Sequence, residues 1–352
     1  VSGGGIEAFL RHNADRVREA KLLVRNEFTG LDAHEQYFNA FSRLLKQDPL
    51  GRVPMLGTDQ RDLFIPVIRS AIAEGFERAG HVLDVGCGDG QTFSLFADAI
   101  PVGSSVDAFD PNPDYVEQFK KRVTHGRRFV LRHCETAGVG KAGALEKAIG
   151  KERGYELITV IHSLYFFDNL EDTLVDITTR LAPGGAAVFV FADELKAYTG
   201  LCVRGWLDRT GNRAGSAAHE KACRARLAVF AAASGGLEAR LGEYGIGVRV
   251  TVDRQPSRLY GHTLADIIAL SNLTGLSEAP DLQKFGIAAN LVEKAPEAIG
   301  LRIETEGPRA GMFSVSQPQV VVTVRRARQG GTALASALRR TMVQGMGEGG
   351  GA

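Results

Sequence analysis

The chain has 352 residues, 44% of them hydrophobic, which is enough for one large domain with an accessory piece or for two small domains. Its 42 basic and 41 acidic side chains form no concentrated basic block, so the electrostatic footprint of a nucleic-acid binder is missing and a membrane surface is equally unsupported. The longest apolar runs, such as "AAVFVF" and "YELITVI", have the length of buried strands and fall far short of the roughly 20 residues that span a bilayer.

The first 20 residues lack the basic start, apolar centre and small-residue cleavage site of a signal peptide, and a cytoplasmic protein is expected. Cys87, Cys134, Cys202 and Cys223 stand without paired spacing, which suits reduced thiols better than a disulfide frame or a zinc site. No metal is expected.

In chain order, residues 1–77 read as a helical cap, with amphipathic runs from Ile6 to about Val24, from Ala33 to Gln47 and from Asp59 to Arg78. From His81 the period changes. "HVLDVGC", "SSVDAFD", "RRFVLRHC", "YELITVIHS" and "GGAAVFVFA" are short apolar runs separated by helix-sized segments. That alternation predicts an α/β fold, a mostly parallel Rossmann-like sheet with helices on both faces and right-handed crossovers. "NPDYVEQFKKRV" and "DNLEDTLVDITTRLAPGG" carry the start and stop signals of two of those helices. Residues 193–242 read as an inserted lid with a turn-rich stretch, "DRTGNRAGSAA", and a helical run, "HEKACRARLAVFAAA". The runs "IGVRVTVD", "IGLRIETE" and "QVVVTVRR" are then expected as strands completing the sheet, with a helix at "HTLADIIALSNLTG" between the first two. The main domain is thus placed at 78–330. Residues 331–352 read as a C-terminal helix and a glycine-rich tail too polar and flexible to order.

The most specific feature is "VLDVGCGDGQ", Val82 to Gln91, where a predicted strand meets a predicted helix. An open parallel sheet binds its ligand beyond such strand ends. Gly86, Gly88 and Gly90 alternate, so the backbone can turn tightly and approach a ligand closely. A dinucleotide fingerprint would place a glycine where this chain has Gln91, and Asp84 inside the motif is unhelpful to a pyrophosphate. The second predicted strand ends at Asp110, 24 positions after Gly86, where an acid can accept both hydroxyls of a ribose. An adenosine without a pyrophosphate is implied.

This set resembles the class I S-adenosylmethionine-dependent methyltransferases, whose first motif looks like "VLDVGCGDG". The resemblance implies S-adenosyl-L-methionine as cofactor, with the Gly86–Gly90 loop cradling its methionine part and Asp110 holding the ribose. Asp84, Gln91, Pro111, Tyr115 and Ile161 join the candidate cofactor contacts. "HCETAG" matches the place near adenine after the third strand, which adds Glu135, Thr136 and Ala137. In that family the fourth strand ends beside the transferred methyl, so "IHSLYFFDN" should face substrate and His162 should face both ligands. The Asn or Asp, two prolines and an aromatic that mark several enzymes acting on DNA bases or protein glutamine are not there.

That segment resembles the histamine N-methyltransferase family, where a Gln stands in the place of His162 and is followed by a leucine and two tyrosines. "QYFNAFSRLLK" is similar to that family's N-terminal helix of aromatic substrate contacts, which carries over to Tyr37 and Phe41. "GTDQR" resembles the segment with its amine-binding glutamate, which here is Asp59, and "LSNLTGLSEAPDLQ" is similar to its late helix and proline turn. His162, Phe166 and Asp59 each depart from the family's residue, so histamine itself is a poor fit.

Each of these residues also has a structural reading. Tyr37, Phe41 and Leu44 lie at helical spacing and suit a core as well as a substrate wall. Asp59 precedes a predicted helix and suits a cap. Tyr165 and Phe166 either close over the next helix or flank the methyl donor, Cys87 packs inside the loop, and Trp206 is a partly buried residue or part of the lid. The expectation is an enzyme that methylates a small aromatic or heteroaromatic molecule by in-line attack of an amine nitrogen. His162 is the candidate base, with Asp59 and Tyr37 beside it, and Tyr37, Phe41, Asp59, His162, Tyr165 and Phe166 form the substrate pocket. Carbon methylation of an indole or phenol in a natural-product pathway, and a non-catalytic cofactor-binding protein, are the alternatives. Oligomeric state is not readable.

Overall fold

The computed structural model describes residues 6, 14–45, 55–124, 128–138, 140, 143–150, 154–231, 236–274 and 283–328. The apolar runs after His81 form β1 (His81–Val85), β2 (Ser105–Asp110), β3 (Val130–Thr136), β4 (Tyr155–Ile161) and β5 (Leu181–Ala192). Later strands are β6 (Val248–Gln255), β7 (Arg258–Gly261), β8 (Arg302–Ile303), β9 (Phe313–Ser316) and β10 (Gln319–Arg326). Seven of them make one sheet in the order β3-β2-β1-β4-β5-β10-β6, and β1–β2, β2–β3, β1–β4 and β4–β5 pair in parallel. The expected mostly parallel, Rossmann-like sheet flanked by helices is therefore present. Its chain order reverses between β1 and β4, which is where sheets of this kind open a crevice for a ligand.

Parallel strands covered on both faces read as continuous apolar runs, and every residue of β2 is buried. Between them, the helix Pro113–Thr124 starts where Asn112 Oδ1 accepts the Asp114 N–H at 2.9 Å and buries Val116, Phe119 and Val123. The helix Leu170–Thr179 is capped by Asn169, whose side chain accepts the Asp172 N–H at 3.3 Å.

The chain divides into two units. One comprises Val1–Leu63, Ala192–Ala225 and Arg254–Val320, and the other Phe64–Phe191, Arg226–Asp253 and Val321–Ala352. Residues 254–320 thus belong with the N-terminal helices, whereas the sequence reading put them in the sheet domain.

The first unit has a helical core. The ring of Phe28, at the end of helix Ala14–Phe28, meets Phe285 of helix Gln283–Lys294 edge-on at 4.7 Å, and Tyr198 donates its hydroxyl to Ile267 O at 2.9 Å. Asp32 and Glu35 close a capping box at the start of helix Ala33–Leu44. The third expected N-terminal helix is Gln60–Gly75. Residues 193–242 contain helices Tyr198–Arg209, Arg213–Ala228 and Leu237–Glu243, with the first two meeting at left-handed Gly211.

One expectation needs correction. "IGLRIETE" does not complete the large sheet, because only Arg302 and Ile303 are strand and they pair with β9 in a separate antiparallel sheet, β7-β9-β8. The run turns back on itself, with Gly307 and Gly311 in left-handed conformations and Gly311 N–H donating to Glu304 O at 2.8 Å. The expected helix start at Ile6 and proline turn after Leu270 run into residues 7–13 and 275–282, which lie outside the described residues, as does the C-terminal segment 331–352. Among the described residues no helix is long and apolar enough to cross a membrane.

In the second unit, β2, β3 and β4 are tied at Asp107, whose side chain has no exposure. It accepts from the Tyr155 hydroxyl at 2.6 Å, the His133 N–H at 3.0 Å and the Arg132 guanidinium. Removing one donor from a buried carboxylate leaves desolvation uncompensated. Tyr155→Phe is expected to lower unfolding free energy by about 1–3 kcal/mol in urea denaturation.

Candidate functional site

The site is built where β1 and β4 end. Gly86 and Cys87, leaving β1, both donate backbone N–H groups to Phe109 O near the end of β2, at 2.7 and 3.1 Å. Gly86 is left-handed (φ 73°), and a Cβ there would stand 2.0 Å from Ser163 Oγ. The loop therefore passes against the residue after His162. At left-handed Gly88 nothing lies within 4 Å of where a Cβ would point, so the outer side of the loop is open to a ligand.

Asp110 fixes this loop from below. Its Oδ2 accepts the Gly88 N–H at 3.0 Å and its Oδ1 accepts the Asn112 N–H at 2.9 Å. Burial raises its pKa above the ordinary carboxylate value, against the opposing pull of those two bonds. Asp84, on β1, is more deeply placed and accepts from Thr159 Oγ1 at 2.8 Å. Burial pushes its pKa up to about 7, the Thr159 bond works against this, and the charge of Asp110 adds to it. Burial likewise pushes the Cys87 thiol far upward, which leaves it an inert packing group.

The other expected cofactor contacts gather around the same strand ends. Thr136 and Glu135 are exposed on β3 opposite Asp110 and Phe109, and the Ala137 N–H donates to Asp110 O at 3.1 Å. Pro111 follows directly, and Tyr115 lies half-buried on the next helix. Left-handed Gly90 precedes the short helix Gln91–Ser94, where the Gln91 N–H donates to Asp89 Oδ1 at 3.1 Å. Ile161 closes β4, half-buried.

His162 is the one residue other than glycine, among those described, with a positive φ (54°). Such a conformation is strained for a side chain with a Cβ and persists only where its surroundings enforce it. Here its N–H donates to Val190 O at 2.7 Å, while the neighbouring Ser163 is held over Gly86. The imidazole Nδ1 stands 3.4 Å from the Tyr165 hydroxyl, and the ring meets Phe64 edge-on at 6.4 Å. Tyr165 in turn lies under the Arg226 guanidinium at 5.2 Å, and Phe166 is 55% exposed.

Tyr37, Phe41 and Asp59 belong to the first unit. Tyr37 and Phe41 stack at 5.9 Å on helix Ala33–Leu44, with Phe41 also packed on that unit's core. The Asp59 carboxylate accepts from the Arg258 N–H at 2.7 Å and the Tyr260 hydroxyl at 2.8 Å, tying β7 to the segment before helix Gln60–Gly75. The expected cap falls instead to Thr58, whose Oγ1 accepts the Gln60 N–H at 3.1 Å. The sequence reading missed Ser163, Thr159 and Asn112. Ser163 had one available signal, its place directly after the histidine that ends the β4 run.

Residues 58–219 match the family model described as a methyltransferase domain. No curated protein matches the sequence. Among solved structures, the chain is similar to a protein of Bacillus halodurans described as a methyltransferase, with 12% identity, 75% of this chain and 98% of that chain covered, and a TM-score of 0.43. The YcgJ protein of Bacillus subtilis gives 11%, 77% and 98%, with a TM-score of 0.44. The plantazolicin methyltransferase BamL, solved with a triazolic desmethylPZN analogue and SAH, gives 14%, 91% and 99%, with a TM-score of 0.41. Residues 58–219 thus match a domain of methyl transfer, and the open glycine loop with Asp110 fits S-adenosylmethionine as the cofactor of such a domain.

Gly86→Ala is expected to weaken cofactor binding at least about tenfold by calorimetry, since the new methyl must displace Ser163 in a left-handed turn. A second expectation concerns pH. Between the ordinary value of 3.8 and about 7, the folded chain keeps a proton on Asp84 that the unfolded chain has released. Stability of the native sequence should fall, relative to Asp84→Asn, as pH rises through that window, and the two curves should run parallel above it. Urea denaturation in steps from about pH 5 to about pH 9 measures this.

Proposed function

We propose that the protein methylates a small aromatic or heteroaromatic amine on nitrogen, acting in the cytoplasm, where its four free thiols would stay reduced. The observation that carries the reading is His162, held in a strained conformation at the end of β4 with Tyr165 at 3.4 Å and exposed Phe166 beside it. A histidine with aromatic neighbours at the switch point of the sheet suits a flat substrate that must lose a proton. The resemblance of "IHSLYFFDN" and "QYFNAFSRLLK" to the histamine N-methyltransferase family supports the same substrate class.

When bound, S-adenosylmethionine supplies a methyl group already activated on a sulfonium. The residues of this chain do the rest. Gly86, Gly88 and Gly90 keep the loop free of side chains, Asp110 is the acid for the ribose, and Glu135 and Thr136 lie where adenine would rest. Tyr165 and Phe166 orient the acceptor and help exclude water. As the nitrogen gives its lone pair to the new C–N bond, its proton passes to the imidazole of His162. Asp59 is already engaged by Arg258 and Tyr260, so its part is to hold that segment in place.

The enzyme incubated with S-adenosylmethionine and a panel of aromatic amines, indoles and phenols should give an N-methylated product by mass and NMR. A ring-methylated product would move the acceptor to carbon, and cofactor binding without any product across the panel would count against this substrate class. With an acceptor in hand, His162→Ala is expected to lower turnover about 100-fold or more while leaving cofactor affinity within about twofold. Full turnover in that variant removes His162 from proton transfer.

A further inference from the structure

A second chemical cluster stands in the first unit, away from the glycine loop in sequence and made of different elements. Glu194 lies just after β5, and His219 and Cys223 lie on helix Arg213–Ala228. Their i, i+4 spacing puts the imidazole and the thiol on one face of that helix. Cys223 Sγ is 3.6 Å from Glu194 Oε2 and 3.6 Å from His219 Nε2, and one donor atom from each of the three residues falls within 4.8 Å of the others.

These separations are those of metal ligands. Around a tetrahedral zinc ion, a sulfur at about 2.3 Å and a nitrogen or oxygen at about 2.0–2.1 Å stand about 3.5 Å apart. The donor set, one soft thiolate with an imidazole and a carboxylate, is the kind that selects zinc over magnesium or calcium. Glu194 and Cys223 are buried and His219 is half-buried.

The segment that carries Glu194 is fixed through its backbone. The Asp193 N–H donates to Pro318 O at 2.8 Å, and the Lys196 and Ala197 N–H groups both return to Asp193 O at 2.8 Å. Helix Tyr198–Arg209 also approaches this segment closely at Gly200, where a Cβ would stand 1.9 Å from Glu194 O. A nucleophilic cysteine would need a chain from thiol to ring to carboxylate, with the imidazole in the middle. Here the imidazole and the carboxylate both converge on the sulfur, which is the arrangement of ligands around a shared ion.

We propose that Glu194, His219 and Cys223 bind one zinc ion, with the fourth position open to water. The site ties the segment after β5 to helix Arg213–Ala228 within the first unit. Its spacing is why no metal was expected, since a single H-x-x-x-C pair with a glutamate 25 residues upstream matches no zinc pattern. Binding deprotonates the thiol, so one proton leaves as Zn–S forms.

The test uses the purified full chain, stripped with a chelator and titrated with cobalt chloride, then with zinc chloride. The site predicts one cobalt per chain with a thiolate-to-cobalt charge-transfer band in the near ultraviolet, which zinc abolishes. Zinc should also raise the melting temperature, because it binds the folded state alone. Cys223→Ser should remove the band, and Glu194→Gln and His219→Gln should each weaken metal binding at least about tenfold. Circular dichroism reports whether each variant folds, and His219→Gln, at the half-exposed ligand, provides the comparison if Cys223→Ser does not. A titration with no saturable band at one equivalent, or a band unchanged in the folded Cys223 and His219 variants, overturns the site.

Discussion

The closest constraint in the candidate site is the contact between Gly86 and Ser163. Because Ser163 Oγ occupies the space a side chain at residue 86 would need, the glycine loop leaving β1 and the turn leaving β4 can be neighbours. That contact is available only where β1 and β4 pair directly, with Val85 opposite Val160. Sheet order, loop composition and the unusual backbone of His162 are then parts of one arrangement. The parallel pairing aligns the two strand ends, the glycine lets the turns touch, and the Val190 carbonyl receives the His162 N–H so that the left-handed residue stays in place.

Much of this was legible in sequence because it depends on local pattern. Val82 to Val85 and Tyr155 to Ile161 read as strands since both faces of a parallel sheet are covered, and Gly86 to Gly90 read as a ligand loop since alternating glycines have few other uses after a strand. Distance along the chain singled out Asp110, and the structure bonds it to the loop at Gly88. The failures share a cause of the opposite kind. β7, β8 and β9 are two to four residues long, too short for a period, and their pairing rests on contacts between remote segments. Asp59 was read from its neighbours in sequence, whereas its carboxylate is satisfied by Arg258 and Tyr260, some 200 residues away. Ser163 and the Glu194 cluster were invisible for the same reason, since no local rule marks a side chain by what folds against it.

The two acids around the glycine loop bear on the proposed cofactor through their charge. Asp84 and Asp110 are both pushed upward by burial, and Asp110 adds repulsion at Asp84. An anionic pyrophosphate would disfavour ionisation of this pair further. A cation placed near them does the reverse, because it favours the ionised form of each acid and relieves the repulsion between them. S-adenosylmethionine carries positive charge on its sulfonium and its amino group, so the feature that argued against a dinucleotide in the sequence is the one that suits this cofactor in the fold. After methyl transfer the sulfonium charge is gone, so that attraction would be weaker for the product than for the donor.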